Sequence, residues 1–339
     1  MNEKILNQTA LGLVAKGRGI LAADESTGTI GKRFQSVNAE NSEENRRAYR
    51  DLLLSPKGVE EFVSGVIFYE ETLFQKSADG TPFPQMLAKH GIIPGIKVDK
   101  GTKPLAGSPN ETITEGLDGL RERLTQYKQA GARFAKWRAV ITIGDGIPSD
   151  YCIATNAHAL ARYAALCQEQ DIVPIVEPEV LMDADNTIEV CEDVTARTLR
   201  LTFQELNRQR VLLEGMILKP NMVISGKKCA KQADHKAVAA ATLRTLKRYV
   251  PSAVAGIAFL SGGQSDEDAT AHLDEMNRLG GGPWTLSFSY GRALQAAALK
   301  AWGGRKENVA AGQHAFMHRA KMNSLAAQGR WEQKLEKAA

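Results

Sequence analysis

The stretch from Val211 to Asn221, VLLEGMILKPN, carries one lysine at the end of a short apolar run, with a proline directly after it. A run of this length bounded by glycine and proline reads as a buried strand. Pro220 has no N–H to give to a ladder, so pairing is expected to stop there and leave Lys219 at the strand's mouth. Alternation puts Gly215, Ile217 and Lys219 on one face and Met216 and Leu218 on the other. An ammonium among apolar neighbours is costly to keep charged. Its pKa is expected to fall, and the neutral amine can attack a carbonyl to form a Schiff base. A free lysine is neutral only about once in 2,500 at pH 7, so such activation is worth up to roughly 4–5 kcal/mol. The same position also suits a lysine that snorkels to water or sits in a structural ion pair.

Other polar residues recur at similar intervals. Lys97, Lys136, Glu177, Lys219 and Ser261 are spaced 39, 41, 42 and 42 residues apart, each at the end of an apolar run, and Asp24 and Ser289 end two more. Lys136-Trp137-Arg138 aims two cations to one side, and Glu177-Pro178-Glu179 does the same for two acids. Opposite charges converging on one cavity offset each other's burial, which is also the purely structural explanation of any one of them. Their collection at one rim favours a site. Ser261-Gly262-Gly263 offers backbone N–H groups and a hydroxyl ahead of a helix, and Ser289-Tyr290-Gly291-Arg292 adds a glycine and a guanidinium; both suit phosphate. Lys32, Arg33 and Lys97 are candidates for a second anion site. The six histidines (90, 158, 235, 272, 314, 318) are dispersed, and none stands at a strand end with carboxylates. They read as surface or packing residues. Cys152, Cys167, Cys191 and Cys229 lack zinc spacing, so free thiols in a reducing compartment are expected and a metal site is not.

The elements that must position these residues alternate. Strand patterns run over 19–25, 65–70, 92–99, 132–139, 172–179, the Lys219 run, 255–263 and 284–291. Helical spacing runs over 3–16, 43–54, 114–130, 153–170, 187–209, 234–249, from 266 onward, and 292–301. This predicts an α/β chain folded as a (β/α)8 TIM barrel, a single domain over 1–339 with 303–339 as a C-terminal tail. A doubly wound open sheet is the alternative, but no GxGxxG follows the first strand. In a barrel the C-terminal strand ends share one pocket, and the loops after strands seven and eight form the usual phosphate site. With 339 residues, 43% hydrophobic and 24% charged, there is ample material for a core. A net charge of +4 without a dense Lys/Arg block argues against nucleic acid and fits a basic pocket for a small anionic substrate. Residues 1–10 lack a signal or transit pattern and no run of 18 apolar residues occurs, so a cytoplasmic location away from membranes is expected.

Taken together the motifs resemble one family. GILAADESTGTIGKR, PGIKVDKG, FAKWRAV, IVEPEVL, LLEGMILKPNM, FLSGGQS, LSFSYGRALQ and LKAWGG follow one another over almost the whole chain, and this is similar to class I, Schiff-base fructose-bisphosphate aldolases. The resemblance implies that Lys219 forms the imine with the ketose C2. It implies that Glu177 moves protons for imine formation and release with Glu179 in support, and that Asp24 handles the proton of the C4 hydroxyl. Lys136 would lower the pKa of Lys219 by like charge and stabilise developing oxyanions. Arg138 is implied as a substrate contact. Ser261, Gly262, Gly263, Ser289, Gly291 and Arg292 are implied at one phosphate, with Ser26, Arg33 and Lys97 at the other end of the sugar bisphosphate. The implied reaction, in glycolysis or gluconeogenesis, is reversible cleavage of fructose 1,6-bisphosphate to dihydroxyacetone phosphate and glyceraldehyde 3-phosphate. The imine is the electron sink, so neither a metal nor another cofactor is called for. Family members are usually homotetramers. Animal members end in a tyrosine on a mobile tail that exchanges protons with the enamine, whereas no tyrosine follows Tyr290 here. That leaves open the tail's role and the choice between bisphosphate and monophosphate sugars. The alternatives are a related imine-forming aldolase for another sugar phosphate, and a barrel with a protein-binding scaffold role.

Overall fold

In the computed structural model, which describes residues 1–337, eight parallel strands close into a barrel. They are β1 (Gly19–Ala23), β2 (Val63–Phe68), β3 (Ile93–Lys97), β4 (Phe134–Ile141), β5 (Val173–Val180), β6 (Ile217–Leu218), β7 (Gly256–Phe259) and β8 (Thr285–Tyr290). Each pairs with its neighbours in sequence, and β8 returns to β1. The (β/α)8 barrel is therefore present, with every expected strand in its place.

Period-2 alternation explains how one barrel serves both as core and as site. The lower inward positions, among them Ile20, Ile67, Phe134, Val173, Ile175, Ile217 and Ala258, form one apolar cluster. Helix Glu3–Leu13 adds Leu6, Ala10 and Leu13 to that cluster and closes the barrel's bottom. Outward residues such as Leu21, Phe68, Trp137, Val176, Leu218 and Phe259 belong to a second cluster shared with the surrounding helices. Two residues further along the inward face four of the strands turn polar: Phe134 gives way to Lys136, Ile175 to Glu177, Ile217 to Lys219, and Ala22 to Asp24. The floor depends on a close approach. A Cβ on Gly95 would lie 2.3 Å from the Phe134 ring, so glycine at that position lets the ring fill the barrel's centre.

The run from Val211 to Asn221 is less regular than its composition suggests. Leu213–Gly215 is a 3-10 turn, and only Ile217–Leu218 is strand. The buried Gln168 side chain claims the backbone there, accepting from the Leu212 N–H at 2.9 Å and donating to the Leu212 and Gly215 carbonyls at 2.8 and 3.2 Å. Those groups are thereby withdrawn from a ladder. The Lys219 N–H still donates to Val176, at 2.8 Å, and Pro220 still accepts from Leu260, at 3.1 Å. Pro220 thus lacks the donor but keeps its acceptor in the sheet.

Two further regions differ from expectation. The segment after β3 forms a short antiparallel hairpin, Thr102–Pro104 with Thr112–Thr114, so the next helix begins only at Leu120. The C-terminal segment contains an 18-residue helix, Val309–Ala326, packed through Phe316 and Ala320 into the outer core. Beyond it, Glu336 pairs with buried Arg319 and accepts from the Trp331 indole at 2.9 Å. Ala338 and Ala339, the last residues of the expected tail, lie outside the described residues. Among those described, no helix is long and apolar enough to cross a membrane.

Gly95→Ala should lower stability by about 1–3 kcal/mol through overpacking against Phe134. A thermal midpoint unchanged from the parent would show that the floor has room to spare.

Candidate active site

The strand ends open into a cavity of about 840 Å³. Asp24, Lys97, Lys136, Arg138, Glu177, Glu179 and Lys219 all line it, as do Ser261, Gly262, Ser289, Gly291 and Arg292 from the loops after β7 and β8, and Ser26 and Arg33 from the start of the chain. Gly263 does not line it: its N–H is directed at the Met182 sulfur, 3.0 Å away.

Lys219 is 4% exposed, and its Nζ lies 3.3 Å from Glu177 Oε1. The other oxygen of the same carboxylate lies 3.5 Å from Lys136 Nζ and has no hydrogen-bond partner among the described residues. Lys136 in turn faces Asp24 at 2.8 Å and Asp99 at 3.7 Å. Burial works against the Lys136 ammonium, but Asp24, Glu177 and Asp99 together outweigh it and raise its pKa well above the usual lysine value. Burial likewise favours a protonated Asp24, yet the ammonium groups of Lys136, Lys97 and Lys219 prevail and hold its carboxyl well below the ordinary range. Lys136 is therefore a fixed cation and Asp24 a fixed anion near neutrality. The three carboxylates around Lys136 also offset the like-charge repulsion expected of it toward Lys219. On the next rung Arg138 pairs with Glu179. Burial opposes its charge, but Glu179 outweighs burial and raises the guanidinium's pKa.

The loops supply donors. Gly262 adopts φ +56°, a left-handed conformation that glycine takes without steric cost. Arg292 donates to its carbonyl. Ser289 is 1% exposed, and its Oγ is a buried hydroxyl with no partner among the described residues. Such a group is costly unless a ligand completes it. Ser26 caps helix Thr27–Gln35, its Oγ accepting from the Thr29 N–H at 3.3 Å. The second set of cations is not one cluster. Lys97 stands over the Tyr69 ring, 5.0 Å from its centroid, whereas Arg33 reaches toward Gly291 of the first loop.

Four residues around the site were missed in the sequence. Asp99 follows Lys97 by two positions, so the alternation applied to Lys136 and Arg138 would have found it. Glu25, 7% exposed, holds Arg33 on one oxygen and the buried Arg50 on the other, the latter at 2.7 Å. Arg50 sits mid-helix and nothing in the sequence signals it. Lys227 lies against Gly263, its ammonium end close enough that a Cβ there would lie 1.9 Å away, and it pairs with Asp183 at 3.2 Å. Among the described residues no group of three or more His, Cys, Asp or Glu side chains is placed to hold a metal ion. All four cysteines are free thiols.

Comparisons with known proteins agree with this geometry. A family model described as "Fructose-bisphosphate aldolase class-I" matches residues 5–339. The chain belongs to the class-I fructose-bisphosphate aldolase family. It is 59% identical over 333 residues to a Xanthomonas campestris protein named "Probable fructose-bisphosphate aldolase class 1", covering 98% of this chain and 100% of that one. It is 55% identical over 332 residues to "Fructose-bisphosphate aldolase 6, cytosolic" of Arabidopsis thaliana, covering 98% of this chain and 92% of that one. Among solved structures, the aldolase of Plasmodium falciparum, in a ternary co-crystal with TRAP and a small-molecule inhibitor, superposes with a TM-score of 0.96 at 51% identity, over 97% of this chain and 96% of that one. As a class I aldolase, the protein cleaves fructose 1,6-bisphosphate reversibly through a lysine Schiff base.

The depressed pKa of Asp24 has a sign that can be checked. Its folded value lies below the unfolded one of about 3.9, so the stability it contributes is complete above that pH and is lost as pH falls further. Asp24→Asn should cost about 2–4 kcal/mol at pH 7, with the gap from the parent beginning to narrow below about pH 4 and smaller by about 1 kcal/mol at pH 3 in thermal unfolding. A gap of equal size at both pH values would contradict the Lys136 pairing.

Proposed function

We propose that Lys219 is the imine-forming lysine and that Glu177 is its proton carrier. The observation that carries this reading is the Glu177 carboxylate, one oxygen 3.3 Å from Lys219 and the other 3.5 Å from Lys136. The Lys219 amine adds to the ketose C2, and Glu177 delivers the proton with which the C2 oxygen leaves as water. Asp24 takes the proton of the C4 hydroxyl as the C3–C4 bond breaks. The bonding pair moves into the protonated imine to give a neutral enamine, and glyceraldehyde 3-phosphate departs. Because Lys136 holds Asp24 strongly anionic, the transfer requires the substrate to loosen that ion pair first. Protonation of the enamine at C3 and hydrolysis of the imine then release dihydroxyacetone phosphate. Lys136 steadies the developing negative charge, and Glu179 supports Glu177 by holding Arg138 against the substrate.

For the phosphates, we assign Ser261, Gly262, Ser289, Gly291 and Arg292 to one end, supported by the unpartnered Ser289 hydroxyl. Ser26, Arg33 and Lys97 are assigned to the other, with Arg33 close enough to Gly291 to serve both. Gly263, whose N–H is directed at the Met182 sulfur, is left out of this set. Two anion loci favour a bisphosphate sugar over a monophosphate. One closed barrel containing all eight strands supports reading the chain as a single domain. A homotetramer follows from family habit, and a cytoplasmic location from the relative named cytosolic.

Borohydride added with fructose 1,6-bisphosphate should inactivate the enzyme and leave one reduced triose phosphate on Lys219, found by peptide mass spectrometry. Lys219→Ala should abolish both label and turnover, while full activity should survive EDTA. Label on another lysine would overturn the assignment. Cleavage of fructose 1-phosphate as efficient as that of fructose 1,6-bisphosphate would overturn the two-phosphate reading, and sedoheptulose 1,7-bisphosphate, which carries two phosphates, is expected to be accepted.

A further inference from the structure

The loop after β7 is braced by side chains that the aldol chemistry does not use. His272, on helix Asp266–Arg278, is 6% exposed, and its Nδ1 lies 2.6 Å from Gln264 Oε1. At its other end the Gln264 amide donates from Nε2 to the Ser261 carbonyl at 3.1 Å, and the Gln264 backbone N–H donates to the same oxygen at 3.2 Å. The direction of this relay follows from chemistry. An amide whose nitrogen faces a carbonyl turns its oxygen to the ring, and that oxygen only accepts. The Nδ1 of His272 therefore carries a hydrogen. The ring also stands edge-on against His235, centroids 4.8 Å apart, and His235 Nε2 lies 3.1 Å from Asp268 Oδ1. Burial, with a smaller effect from His235, holds the His272 pKa down at about 4, so the imidazole is neutral near pH 7.

This bracing has a consequence for the cavity. In a trans peptide the carbonyl and the following N–H point in opposite directions. Two hydrogen bonds that draw the Ser261 oxygen toward Gln264 turn the Gly262 N–H the other way. Among the described residues that N–H donates to no protein group, and both Ser261 and Gly262 line the cavity.

We propose that His272, acting through Gln264, is a positioning residue for substrate binding: it fixes the Ser261–Gly262 peptide so that the Gly262 N–H is presented to the sugar phosphate. The inference rests on reading Ser261, Gly262 and Arg292 as a phosphate site. His272→Leu and Gln264→Leu should each raise KM for fructose 1,6-bisphosphate and Ki for inorganic phosphate about five- to tenfold, with kcat nearly unchanged. The double variant should be no worse than either single, since both break the same relay. His272→Gln can still donate to Gln264 and should stay within about twofold of the parent in both constants. Gln264 is only half-buried, so Gln264→Leu gives the answer even where His272→Leu fails to fold. If both leucine variants keep the parental constants while Arg292→Ala raises them, the relay is wrong and the phosphate site stands. If Arg292→Ala also leaves them unchanged, the phosphate assignment falls and the relay with it.

Discussion

The structure depends on keeping a set of buried opposite charges in balance around Glu177. Lys136 and Lys219 grip one carboxylate from two sides, and Lys136 is closed off by Asp24 and Asp99. Any of these charges left alone in the barrel would cost several kcal/mol. Together they form a polar layer in which the Lys219 amine sits 4% exposed at the base of the cavity. An imine formed at such an amine would exchange two N–H bonds for one C=N bond with loss of water, and its protonated form would keep the positive charge facing Glu177.

The barrel makes this balance a matter of register. Parallel pairing sets Lys97 beside Lys136, and Arg138 beside Glu177, so each cationic position is next to a strand that can supply an acid one rung away. Below this layer the inward faces are apolar and sealed by the N-terminal helix; above it the loops provide backbone donors and arginines. At the cavity's edge, Glu25 ties Arg33, Arg50 and Gln295 together, the last donating at 3.0 Å. This links the end of β1 to three helices and holds one of the cavity's cations in a fixed direction.

Much of this could be read from the sequence, because the signals are local. Eight apolar runs alternating with helical patterns point to the barrel, seven of them ending in polar residues, and the two-residue period pairs Lys136 with Arg138 and Glu177 with Glu179. Features that depend on distant partners were not legible. Gln168, far away in sequence, decides where β6 begins, and Arg50 finds Glu25 only once a helix packs on β1. Gly263 looked like part of a phosphate nest, yet its N–H is directed at the Met182 sulfur, 81 residues earlier. His272 gave no sign of its place under a loop eight residues earlier, since its bond to Gln264 exists only after the helix turns back beneath the strand end. The 303–337 segment, low in obvious motif, conceals a helix whose apolar face becomes visible only against its neighbours.

The central claim is that Glu177 moves the proton that lets Lys219 form its adduct. Rapid mixing of Glu177→Gln with dihydroxyacetone phosphate, quenched with borohydride at millisecond intervals, reads that step by itself through the mass of the Lys219 peptide. The account predicts labelling slowed about a hundredfold or more, with the same final adduct on the same residue. Labelling as fast as in the parent would contradict it.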